Sequence, residues 1–336
     1  MRRSRDAVSA PTDLFIWDDH LGFDARIDAD LDRLERWRTA GASFLSINVG
    51  YDVMPWHDAI RVLAAYRAWI EAHGDGYVLA GSATDVMRAR EQRKIAVAFD
   101  LEGMAALDDR VEMIALYHRL GVRQIAFAYN RTNAFAGGCH DKDVGLTPLG
   151  RRALEEMNRL GILVDCSHTS LRSTMEAMER SRAPVVFSHS NPAAVWPHAR
   201  NITDEQIVAC AATGGVVGIN GIGIFLGPND ASTATIVRHI DHVAELVGPR
   251  HVGIGLDAAF GDETETLLPI NTHFWPPGHG YGTSDLQVAV PEQIPEIAAA
   301  LIDRGYAGSD VDDIMGGNFL RVATEAWGDP SPAELE

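Results

Sequence analysis

The sequence predicts an α/β fold, one domain closed into a (β/α)8 TIM barrel. Three observations carry that expectation. Eight short apolar runs alternate with longer amphipathic ones from end to end, the rhythm of strands joined by crossover helices. Most of the apolar runs are β-branched and nearly continuous, as strands covered on both faces read. No GxGxxG or Walker loop follows the first run, so the usual mark of an open doubly wound sheet is missing.

The strand candidates are Leu14–His20, Phe44–Gly50, Ile95–Gly103, Gln124–Asn130, Leu163–His168, Pro184–Ser190, Gly215–Gly223 and His251–Asp257. Helical patterns fill the gaps at Asp30–Ala40, His57–Ala72, Pro148–Leu160, Ser170–Ser181, Asp204–Thr213, Thr233–Val247 and Pro291–Arg304. Thr147 caps the third of these, with Pro148 at its first position. Thr203 and Gln206 have the spacing of a capping box. Gly161, Gly214 and Gly305 act as C-terminal stops. The stretch Gly261–Gly282 ends rich in Pro, Gly, Thr and His and reads as a long loop after the last strand. No domain boundary breaks the series, so residues 1–336 read as a single domain with 1–13 as a flexible N-terminal segment.

With 336 residues and 46% hydrophobic content, the chain can bury a large core without disulfides. Its three cysteines, Cys139, Cys166 and Cys210, show no CxxC spacing, so a disulfide framework is not expected. A net charge of -18 disfavours nucleic acid and anionic membranes and favours solubility. The basic start MRRSR is followed by no apolar run, so no secretory signal is read there. A soluble cytoplasmic protein is the expectation.

Function is read from the strand ends, because barrel active sites lie at the C-terminal ends of their strands. Asp18, Asp19 and His20 end the first strand, and Asp100 and Glu102 the third. Tyr129 and Asn130 end the fourth, and Asp165, Cys166, Ser167 and His168 the fifth. Ser188 and His189 end the sixth, and Asp257 the last. A lone histidine after a strand is usually a hydrogen-bonding residue. Three histidines and two acids at one rim are costly to bury together unless they share a cation. Imidazole and carboxylate without thiolate suit zinc or a similar divalent ion with a position open to water. Cys166 is read as a packing residue, and His118, His239 and His242 as helix residues outside the site. The loop GGCHDKD, with His140, Asp141 and Asp143, either covers the site or merely connects two elements.

The motifs FDLEG, GLTPLGRRALEEMNRLGILVDCSH, PVVFSHSNPAAVWPHARN, HVGIGLD and GGNFLRVA run through nearly the whole chain. In them the sequence resembles the membrane (renal) dipeptidase family, the M19 metallopeptidases, within the amidohydrolase-like barrels. The resemblance implies hydrolysis of dipeptides and related amides with one or two zinc ions, often in a homodimer. It implies Glu102 as the carboxylate bridging two metals, His168 and His189 as ligands of the second, and His20 as the first histidine of an HxD motif. Arg200 then holds the substrate carboxylate, and Asp257 handles protons. Two positions depart from the pattern. Gly22 stands where the family has a ligand aspartate, with Asp18 or Asp24 as candidate substitutes. Tyr129 stands where a family histidine polarises the scissile carbonyl, and its hydroxyl can donate to an oxyanion. These departures keep a second substrate class open, namely N-acyl amino acids, lactams or lactones. A non-catalytic binding protein is the remaining alternative.

Overall fold

The computed structural model describes residues 14–21, 25–258 and 271–328. The segment 1–13, Gly22, Asp24 and the start of the Gly261–Gly282 loop lie outside the described residues. Parallel strands form one sheet: β1 Ile16–Leu21, β2 Ala42–Tyr51, β3 Tyr77–Leu79, β4 Ile95–Glu102, β5 Val122–Ala126, β6 Leu163–Asp165, β7 Val185–Val186, β8 Val217–Ile219 and β9 Val252–Ile254. Neighbours run β7-β6-β5-β4-β2-β1-β9-β8. A parallel bridge between Phe187 and Val217 brings the two ends together. Eight strands thus make the nearly closed barrel that the sequence predicts. β3 stands off the ring and pairs with the start of β4, ahead of the stretch of β4 that pairs with β5. Its three residues leave no periodic trace, so it was not among the expected strands.

The crossovers carry α1 Glu35–Thr39, α2 Trp56–Ala72, α3 Ala83–Glu91, α4 Met113–Arg119, α5 Pro148–Leu160, α6 Leu171–Arg180, α7 Asp204–Ala212, α8 Gly223–Leu226 and α9 Thr233–Val247. After β9 come α10 Ile294–Arg304, α11 Gly308–Asp312 and α12 Asn318–Trp327. Thr147 accepts from Gly150 N at the start of α5, and Thr203 with Gln206 forms a reciprocal box on α7. Gly161, Gly214 and Gly305 have φ of 73°, 84° and 98°, the left-handed region that glycine enters without strain. The expected series lacks α3, α4, α8, α11 and α12.

Alternation along β4 separates two layers. Ile95, Val97, Phe99 and Leu101 pack outward under the helices, while Ala96 and Ala98 face the barrel interior. The interior floor also holds Trp17, Phe44, Leu163, Val186 and Val216, and α12 fills it with Phe319, Val322 and Trp327. Trp17 stacks on Phe44 with ring centroids 3.6 Å apart. A Cβ at Gly253 would lie 2.3 Å from the Phe319 ring, so the close approach requires glycine. Above this apolar floor the same inward positions turn polar, at Asp100 and Glu102 of β4.

β1 departs from strict alternation. Asp18 pairs with Leu45 and Leu21 with Ile47, so three steps on β1 match two on β2. The bulge lets two successive residues reach inward. Asp19 takes the indole N–H of Trp17 at 2.6 Å, and His20 Nδ1 reaches Asp100 Oδ1 at 3.3 Å. Asp18 faces the other way. It accepts from Trp37 Nε1 and Leu256 N, both at 2.9 Å, and ties β1 to α1 and to the end of β9. Strict alternation would place Asp18 on the face of His20 as a spare ligand. The structure removes it from that role.

Candidate metal centre and active site

Four of the expected residues meet at the rim. His20 lies in β1 and Glu102 ends β4, while His168 and His189 each follow a short strand by three residues. Glu102 Oε1 is the centre of the group. It lies 2.8 Å from His168 Nε2, 3.2 Å from His189 Nε2 and 3.6 Å from His20 Nε2. His168 Nε2 and His189 Nε2 are 3.0 Å apart. His20 stacks on His189 with centroids 3.9 Å apart. All four side chains are buried.

The surrounding hydrogen bonds fix which nitrogen of each ring is bare. His168 Nδ1 lies 2.7 Å from Asn130 Oδ1, which only accepts, so Nδ1 carries the proton. Ser188 gives its single hydroxyl proton to Asp165 Oδ2 at 2.6 Å. It must therefore accept from His189 Nδ1, also at 2.6 Å. Asp100 Oδ1 likewise draws the proton of His20 to Nδ1. The Nε2 atoms of His168 and His189 then point lone pairs into one space, where His20 Nε2 also lies with no hydrogen-bond partner. Convergent lone pairs repel unless a cation stands among them. An ion with bonds of about 2.0–2.1 Å in a tetrahedral shell has ligands about 3.3 Å apart, and the 2.8–3.2 Å triangle of Glu102, His168 and His189 is close to that edge. The residues fit a divalent metal.

Electrostatics agree. Burial pushes the Glu102 carboxyl well up, against the pull of His20. Burial, aided by the charge of Arg200, drives His168 well below the ordinary imidazole range. His189 is driven down by burial and then by the charge of His20. Burial also opposes charge on His20, but Asp100, Glu102 and Asp257 outweigh it and lift its pKa to about 10. A field that holds a proton so firmly also attracts a metal cation.

The remaining candidates surround this centre. Asp257 Oδ1 lies 3.8 Å from His20 Nε2, and its other oxygen accepts from Asn220 at 2.8 Å. Burial raises its pKa. Arg200 is 2% exposed and uses its terminal nitrogens on Ser190 Oγ and His189 O, while Nε has no partner. Tyr129 stacks on His168 at 4.5 Å and accepts the indole proton of Trp275 at 2.9 Å. Asn130, His168 and Asp257 have φ of 58°, 61° and 56°. Left-handed backbone costs about 1 kcal/mol or more for non-glycine residues and clusters where chemistry needs it.

Some site residues were not assigned roles by sequence. Asn48 donates to Glu102 Oε2 at 3.0 Å, and Asn130, Ser188 and Asn220 orient other members. Their signal was position at a strand end, shared with many silent residues. The loop of His140 borders the site, where Cys139 N donates to His168 O at 2.9 Å, and His140 Nε2 meets Tyr281 Oη at 2.8 Å. Cys166 is buried among outward-facing apolar residues, as expected. His239 and His242 bond to Leu226 O and Asp204, away from the site.

Known proteins resemble this chain in sequence and fold. The chain is 30% identical over 312 residues to dipeptidase tcpJ of Claviceps purpurea, covering 88% of this chain and 68% of that one. An uncharacterized dipeptidase of Schizosaccharomyces pombe is 33% identical over 234 residues, covering 68% of this chain and 52% of its own length. The chain thus spans about two thirds of the first relative and about half of the second. An amidohydrolase structure from Pseudomonas aeruginosa superposes with a TM-score of 0.85 at 25% identity, covering 94% of this chain and 98% of that one. A metallo peptidase from Rhodobacter sphaeroides, liganded with a phosphinate mimic of the dipeptide L-Ala-D-Ala, shares the fold with a TM-score of 0.75 at 22% identity, covering 94% and 99%. The membrane dipeptidase family model matches residues 11–266. On that match and the curated relatives, this chain belongs to the membrane dipeptidase family, peptidase family M19, and is a metal-dependent hydrolase.

Proposed function

We propose that the chain hydrolyses the amide bond of dipeptides, with one zinc ion held by Glu102, His168 and His189 and faced by His20. The observation that carries this reading is the triangle of donors, each with its lone pair fixed inward. Zinc there supplies Lewis acidity and makes water acidic enough to attack at neutral pH. Asp257 takes the proton of the attacking water and returns it to the leaving amine, a task that suits a carboxyl of raised pKa. The Tyr129 hydroxyl donates to the developing oxyanion. Arg200 receives the substrate carboxylate through its free Nε edge.

Two features support a single ion. Gly22 offers no ligand, and among the described residues one histidine–carboxylate cluster, around Glu102, could hold an ion. The barrel works as one domain. A homodimer follows from the resemblance alone. A cytoplasmic setting is supported by three free thiols; among the described residues no helix is long and apolar enough to cross a membrane.

The test combines metal analysis with a substrate panel. Zinc-saturated, dialysed protein should hold one equivalent per chain. It should hydrolyse L-Ala-D-Ala or L-Ala-L-Ala in preference to N-acetylalanine and simple lactones. Asp257→Asn should keep its zinc and lose about 10²–10⁴-fold in kcat. Preference for the acyl amino acid or the lactone would replace the dipeptide reading. Two equivalents of zinc would remove the single-ion reading only.

A further inference from the structure

The Tyr129 ring is clamped on three sides. It stacks on His168 at 4.5 Å, meets Tyr51 edge-on at 5.4 Å and meets Trp275 edge-on at 6.2 Å. Only the hydroxyl proton can still turn. A phenolic O–H lies near the ring plane, in either of two opposed positions. Trp275 decides between them. Its indole N–H is a donor with no acceptor capacity, so in the 2.9 Å contact Tyr129 Oη must accept. The tyrosine proton is thereby turned away from the indole. The same segment is tied to the metal side. Asn130 Nδ2 donates to Phe274 O at 3.0 Å, while Asn130 Oδ1 accepts from His168. Trp275 is 6% exposed, so water does not compete for its N–H.

We infer that Trp275 is a positioning residue for catalysis: it fills one side of the Tyr129 hydroxyl and aims the phenolic proton at the reacting carbonyl. The inference rests on the reading of Tyr129 as oxyanion donor. It also gives the segment 271–282 a part in catalysis, although that segment touches none of the four metal-facing side chains through a hydrogen bond.

Trp275→Phe keeps an aromatic cover and removes the N–H. It should lower kcat for the best dipeptide of the panel about tenfold, with KM and zinc content held. Tyr129→Phe should lower kcat by about 10²-fold. Adding Trp275→Phe to Tyr129→Phe should cause no further loss, because the proton being aimed is gone. A direct readout needs no turnover: the indole ¹H–¹⁵N resonance of Trp275 should shift in Tyr129→Phe. A wild-type kcat in Trp275→Phe, a double variant showing the product of both losses, or an unmoved resonance would each overturn the inference. If Tyr129→Phe keeps full kcat while the resonance shifts, the contact is real but the oxyanion reading fails, and the positioning role fails with it.

Discussion

Ser188 has one proton and gives it to Asp165, so its oxygen is what His189 Nδ1 bonds to. Ser188→Ala leaves that ring without a fixed tautomer, and zinc affinity should fall about 10–100-fold. Competition with a chromophoric chelator measures it, and unchanged affinity would show that the serine does not orient the ligand. Residues of this kind mark the limit of sequence reading. That Glu102, His168, His189 and Asp257 meet at one rim was legible because each lies at or just past the end of a strand within a long ordered motif. Ser188, Asn130 and Asn48 stand at equally plain positions, but their roles depend on which atom lies opposite across the barrel. Trp275 was illegible for another reason. It contacts Tyr129 across 146 positions of chain, from a segment with no periodic pattern.

At the scale of elements, α5 and α7 are legible from their caps, while α3, which also carries a reciprocal Ser82–Asp85 box, is not in the expected series. The capping residues of α5 and α7 and the glycines closing helices stand where composition placed them, because these signals are local. The β1 bulge leaves no such trace, so the face of Asp18 was misjudged. On α9, His239 lies outside the site, fully buried with Nε2 at 2.8 Å from Leu226 O. Burial holds its pKa down to about 4, against the raising effect of that carbonyl. Between that value and the unfolded value near 6.5, the unfolded chain binds a proton that the folded one refuses. Its contribution to stability is therefore lost as pH falls below about 6.5, by up to ~1.4 kcal/mol per unit. His239→Gln keeps a donor for Leu226 and removes the titration. Between pH 6.5 and 5, urea midpoints should fall more steeply in the wild type than in the variant. Parallel slopes would show that His239 does not contribute to acid sensitivity.

The whole molecule joins two chemistries in one cylinder, an apolar floor below and a cation site above. Phe319 of α12 lies against Gly253 and Gly218 inside the floor. Phe319→Ala should lower the unfolding free energy by about 3–5 kcal/mol, read from equilibrium denaturation. With zinc saturated, kcat should remain near wild type, since the ring lies beneath the polar layer. A large loss of kcat at full occupancy would instead show that the floor sets the geometry of the rim. The barrel as a whole was legible because eight apolar runs and their order survive in sequence. That its interior is completed by a helix from the far end was not, because GGNFLRVA shows a motif without showing what it fills.

That plug is made late. Residues of β9 leave the ribosome well before Phe319, and the intervening 65 positions, 319 minus 254, take roughly 3–13 s at ordinary elongation rates. Throughout that interval a nascent ring exposes Trp17, Phe44 and Val216 to solvent or to a chaperone. Ribosomes stalled in this window should therefore carry a sticky, protease-sensitive cylinder that becomes resistant only once its stopper has emerged.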